Sequence, residues 1–84
     1  MKTMKYINEL RAIIREKTDR CNAMERIANE MRSSRKNLTK RQLEKNVAEV
    51  RSMEKEIEKH RAYCAKAQRE IDAFFAPAMK EIAA

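Results

Sequence analysis

Apolar residues recur every seven positions along most of this chain, in two runs separated by a short basic stretch. In the second run Leu43, Val50, Ile57, Cys64 and Ile71 form one row, and Asn46, Met53, His60, Ala67 and Phe74 form a companion row three residues further on. In the first run Ile7, Ile14, Cys21 and Ala28 stand beside Leu10, Met24 and Met31, with Lys17 interrupting the second row. A 3.5-residue repeat held over this length puts both rows on one seam of a helix, and such a seam seeks another helix. Ile13 and Ile27 flank the first seam and widen it, as suits a helix that touches more than one neighbour.

Local signals mark the helix ends. Thr3 is the expected cap of a first helix over residues 3–33. Ser33, Ser34, Arg35, Lys36 and Asn37 carry no apolar side chain, and Asn37 is of the type that tolerates the left-handed conformation ending a helix, so the turn is placed at residues 34–38. Thr39 with Gln42 three residues on makes a capping box, and Leu38 with Leu43 makes the matching hydrophobic staple. A second helix is therefore expected from about residue 39 to about residue 75. There Pro77 disfavours helical geometry at Ala76 and removes a backbone donor. A short tail helix over residues 77–83 follows, with Met79 and Ile82 on its apolar side.

These elements predict an all-α chain, a single antiparallel two-helix hairpin of coiled-coil character. One continuous rod of roughly 120 Å is the competing arrangement, since a four-residue stutter would absorb the phase offset between the runs. The capping box and staple favour the hairpin. A hairpin centred on the predicted turn sets Met31 near Leu43, Met24 near Val50, Cys21 near Met53, Leu10 near Cys64 and Ile7 near Ala67. In that register the two cysteines lie eleven residues apart along the first helix, or ~16 Å, too far for a disulfide, whose α-carbons must approach within ~7 Å.

Composition narrows the classes. Charged residues make up 39% of the 84 positions and aromatics 5%, and glycine and tryptophan are absent, which argues against strands. Two helices with one seam each cannot enclose a core as a layered fold does. Completion by a homodimer, as a four-helix bundle, or by a larger protein partner is thus expected. The longest apolar run, residues 73–79, contains Pro77 and falls far short of the roughly 20 residues that cross a bilayer. Lys2 and Lys5 precede Asn8, Glu9, Arg11 and Arg15 rather than a signal core, so no membrane contact and a cytoplasmic location are expected.

Three polar residues, Lys17, Asn46 and His60, occupy seam positions, where such groups usually fix register or oligomeric state at some loss of stability. His60 and Cys64 have the i, i+4 spacing of two zinc ligands, yet nothing else supplies the remaining ligands. As a nucleophile pair they would need an electropositive, partly open setting and an oxyanion site, which an unbroken helix does not offer. No catalytic residue, metal site or cofactor is assigned, and the chain reads as a non-enzyme.

Charge adds the most suggestive feature. Of the formal +7, Arg32, Arg35, Lys36, Lys40, Arg41 and Lys45 against Glu44 place +5 within residues 32–45, at the tip of a hairpin. Lys40 and Arg41 even oppose the dipole at the start of the second helix. Such a cluster attracts phosphate backbones or an acidic protein surface. Tyr6, Tyr63, Phe74 and Phe75 lie towards the other end, which leaves the tip without rings to stack on bases. At that other end Met4 and Tyr6 should meet Phe74, Phe75, Met79 and Ile82, closed by the tail folding over the hairpin or left as a surface for a partner.

In outline the chain resembles small antiparallel dimers that bind RNA loops, helical-hairpin co-chaperones of secretion systems, and small phage or mobile-element proteins that block a host complex. The resemblance is one of architecture and transfers no residue role. The expected function is a small protein–protein interaction module, associating through the seam residues Ile7, Leu10, Ile14, Met24, Met31, Leu43, Val50, Met53, Ile57, Ile71 and Phe74 and presenting the basic tip. The alternative is a nucleic-acid-binding dimer that contacts phosphates through that tip.

Overall fold

A computed structural model describes residues 3–83. Two helices, α1 (Met4–Ser33) and α2 (Lys40–Ala83), pack antiparallel and are joined by a single 3-10 turn at Arg35–Asn37. No strand occurs among the described residues. Long helices are what this composition favours, since no glycine interrupts them and the single proline lies near the end of α2. The molecule is a rod of 62 × 24 × 14 Å with a radius of gyration of 18.9 Å, against about 12 Å for a compact chain of this length.

Both predicted caps form. Thr3 is extended, and its Oγ1 accepts a hydrogen bond from the Tyr6 N–H at 3.4 Å. At the start of α2 the Thr39 N–H donates to Gln42 Oε1 at 3.0 Å while the Gln42 N–H donates to Thr39 Oγ1 at 3.3 Å, the reciprocal pair of a capping box. The turn itself differs from expectation: none of the described residues has positive φ, so Asn37 is not left-handed. The reason is that the carbonyls at the end of α1 are satisfied in other ways. Ser34 N–H donates to Glu30 O at 3.1 Å, and the Ser33 and Ser34 hydroxyls donate to the carbonyls of Asn29 and Met31.

Because the 3-10 turn carries the chain past Ser33 before Leu38 and Thr39 reverse it, the helices meet one helical turn away from the expected register. The Cys21 thiol lies against the Ile57 carbonyl, four residues beyond the expected Met53, and the Cys64 thiol against the Ile14 carbonyl, four residues beyond the expected Leu10. Asn46, not Leu43, reaches the Met31 carbonyl. The expected pair Ile7 and Ala67 does share one buried cluster, joined there by Leu10 and Ile71. The cysteines are thus about seven residues apart along α1, or ~10 Å, instead of eleven, and both are free.

The heptad rows form the core. Ile7, Leu10, Cys21, Ala28, Val50, Ile57, Ala67 and Ile71 are buried, each large side chain contributing about 1.5–3 kcal/mol by leaving water. Pro77 does not end α2, contrary to the expected stop near residue 75 and separate tail helix. Proline deprives the Ala73 carbonyl of its donor, but Ala73 and Pro77 are both exposed, so solvent can take that bond. Nor does the tail fold back: Met79 is 62% and Ile82 80% exposed. With Ile7 and Ile71 in one cluster, Met4 lies level with about residue 74, and α2 runs nine residues, ~13 Å, past the start of α1.

The capping box makes a measurable contribution. Thr39→Ala should lower the unfolding free energy by about 1 kcal/mol in urea denaturation, because the Gln42 N–H loses its acceptor. An unchanged midpoint would show that the box does not hold the turn.

Candidate functional site

The tip is built around one buried amide. Asn46, 8% exposed, donates from Nδ2 to the Met31 carbonyl at 3.0 Å and accepts at Oδ1 from Arg35 Nε at 2.9 Å. It ties the end of α1, the 3-10 turn and the first heptad of α2 together, which is the register-setting role expected of a polar seam residue. Arg32 bonds Asn29 Oδ1 at 2.8 Å and pairs with Glu54 across the helices. Two of the six predicted tip cations, Arg32 and Arg35, therefore hold the hairpin together. Lys36, Lys40, Arg41 and Lys45 are exposed, and none has an ion-pair partner among the described residues.

Of the predicted seam residues, Ile7, Leu10, Val50, Ile57 and Ile71 are buried, while Ile14, Met24, Met31, Met53 and Phe74 are half-buried. Leu43 is 36% exposed and stands outside the seam. The seam is therefore largely closed between α1 and α2 of the same chain. Ile13 is half-buried, and Ile27 and Tyr63 are exposed on the outside. An open groove of about 730 Å³ runs along one flank over Ala28 and Ile57, bridged by the Arg32–Glu54 and Arg61–Glu25 ion pairs.

The other two polar seam residues meet each other, a contact that the expected register did not bring together. Lys17 Nζ lies 3.2 Å from His60 Nδ1 and 4.8 Å from the centre of the Tyr63 ring. An ammonium can only donate, so Nδ1 must be the unprotonated nitrogen and the proton sits on Nε2. That Nε2 is buried and has no hydrogen-bond partner among the described residues. The Cys64 thiol donates towards the Ile14 carbonyl at 3.9 Å and Cys21 towards Ile57 at 3.8 Å. His60 and Cys64 thus both turn into α1, and the ammonium beside Nδ1 opposes a metal ion there. Among the described residues no group of three or more His, Cys, Asp or Glu side chains comes together as a metal centre. None of the helices is long and apolar enough to cross a membrane.

At the open end Phe74 and Phe75 pack edge to face at 5.0 Å, and the Arg11 guanidinium lies 5.3 Å from the Phe75 ring centre. Tyr6 donates its hydroxyl to Glu70 Oε2 at 2.8 Å. That bond, with desolvation and the Glu70 charge, raises the Tyr6 phenol above its ordinary value of 10.0. The protonated phenol is the form the fold favours, so this contact supports the hairpin at neutral pH and is lost as pH rises through the raised value. The sequence pattern gave no sign of this clamp, because Tyr6 and Glu70 flank the rows rather than belonging to them.

No protein-family model, curated protein or solved structure matches this chain.

The Lys17–His60 contact leaves one buried N–H unbonded, which costs about 1–3 kcal/mol. Replacing both residues, Lys17→Leu with His60→Leu, should raise the thermal midpoint by several degrees, on the order of 4–8 °C per kcal/mol for a chain of this size. A lower midpoint would show that the polar pair is a net stabiliser.

Proposed function

We propose that this chain is a small non-enzymatic interaction module, an adaptor, chaperone-like factor or inhibitor of a larger complex, that docks through its basic tip on an acidic protein surface. The observation that carries the reading is the set Lys36, Lys40, Arg41 and Lys45, exposed and without acidic partners among the described residues, at one end of a rod where Glu44 is the sole acidic residue in residues 32–45. Unpaired like charges repel one another, and an acidic surface relieves that repulsion. The surface area supports association as well. The chain exposes 6983 Å², whereas a compact monomer of 9.9 kDa exposes about 5,200 Å². Since the seam is largely closed within the hairpin, association uses what it leaves outside, the tip and the open end. Two free, packed cysteines fit a reducing cytoplasm.

The same four cations also suit a phosphate backbone, which is the second reading. Tyr6, Tyr63, Phe74 and Phe75 stand far from the tip and offer it no stacking surface, which disfavours single-stranded nucleic acid and leaves a duplex backbone as the competitor.

A salt titration separates the two. With four cations on phosphates, the affinity for a duplex RNA or DNA should fall roughly 100-fold between 50 and 200 mM salt, and changing Lys36, Lys40, Arg41 and Lys45 to Gln should abolish binding. The interaction-module reading expects no appreciable nucleic-acid binding at 50 mM salt. It also expects a specific protein captured from the native cell to be lost on the same four changes. Tight, steeply salt-dependent duplex binding overturns it.

A further inference from the structure

We infer that two copies of this chain join end to end at their open ends, each overhanging segment of α2 lying antiparallel against the other. The overhang presents Phe75, Met79 and Ile82 at i, i+4 and i+7, a single apolar stripe along one helix face. Met79 and Ile82 are 62% and 80% exposed, and Met4, at the foot of the step where α1 begins, is 46% exposed. The stripe continues the hairpin's own packing, since Phe75 already packs against the buried cluster of Ile7, Leu10, Ala67 and Ile71. Beyond Thr3 no described residue of the first helix lies beside α2 over its last ~13 Å.

A second copy of the chain fits this place for two reasons. The step and the overhang have the same length because they are one feature seen from two sides, so under a two-fold axis the overhang of each copy fills the step of the other. Charge points the same way. Residues 74–82 carry one Lys and one Glu, and Lys5 beside Met4 adds a single positive charge at the foot of the step, whereas residues 32–45 carry +5. Joining open ends brings the weakly charged segments together and keeps the two basic tips far beyond the ~8 Å screening length, leaving both free to dock. This deepens the interaction-module reading and rests on it: one dimer carries a docking tip at each end. The overhang is short, so the joint is concentration-dependent rather than permanent.

The test uses the full chain in solution. Sedimentation equilibrium should show a reversible monomer–dimer exchange, and small-angle scattering of the dimer should give a rod nearly twice the 62 Å of one hairpin. Met79→Glu or Ile82→Glu should weaken association at least tenfold, while Ile27→Glu on the flank should leave it unchanged. All three side chains are exposed in the single hairpin, so circular dichroism should report the same helix content. A dimer no longer than one hairpin, a dimer indifferent to Met79→Glu and Ile82→Glu, or a monomer throughout the concentration range would each overturn the joint. None of those outcomes alters the tip's salt titration, so failure of the joint and failure of the docking reading remain distinct.

Discussion

The register between the two helices governs everything else in this molecule, and Asn46 is where it is fixed. It is the one buried polar side chain among the described residues, and its two hydrogen bonds run to the end of α1 and to the 3-10 turn. A slip of one turn would leave the Asn46 amide without Met31 and Arg35 in a closed space, where an unsatisfied polar group costs about 1–3 kcal/mol. An apolar residue at this place would tolerate such a slip far better. The apolar rows supply most of the attraction between the helices, and the amide selects which of several similar alignments is adopted.

From that alignment the other features follow. Lys17 and His60 stand level and share a proton donor and an acceptor, while Arg32 reaches Glu54 and Arg61 reaches Glu25 on one flank. Arg32 and Arg35 are drawn inward as structural contacts, leaving Lys36, Lys40, Arg41 and Lys45 facing solvent. At the other end the same alignment sets α1 short of α2 and produces the overhang. Both ends of the rod thus differ chemically from its middle, one cationic and the other apolar. In the proposed account these ends divide two tasks, docking and self-association.

Much of the fold was legible in the residues. Period-seven rows gave the seam, and Thr3 and the Thr39–Gln42 pair gave the caps, because these signals act over one or two helical turns. The register was not legible, since it depends on how far the 3-10 turn at Arg35–Asn37 continues the line of α1, and several spacings are compatible with the same rows. Pro77 misled for a related reason. Its effect depends on whether the carbonyl it orphans is buried, and only the position of α2 beyond α1 decides that. The basic tip was legible as a cluster of six, but its division into two structural and four exposed cations required knowing that Asn46 and Glu54 lie within reach.

The most direct test of the central claim is a set of interhelical nuclear Overhauser contacts on the full chain. Cross-peaks linking Cys21 with Ile57 and Ile14 with Cys64 are expected. Their absence, with cross-peaks linking Cys21 with Met53 and Leu10 with Cys64 in their place, would set the helices one turn away and contradict this register.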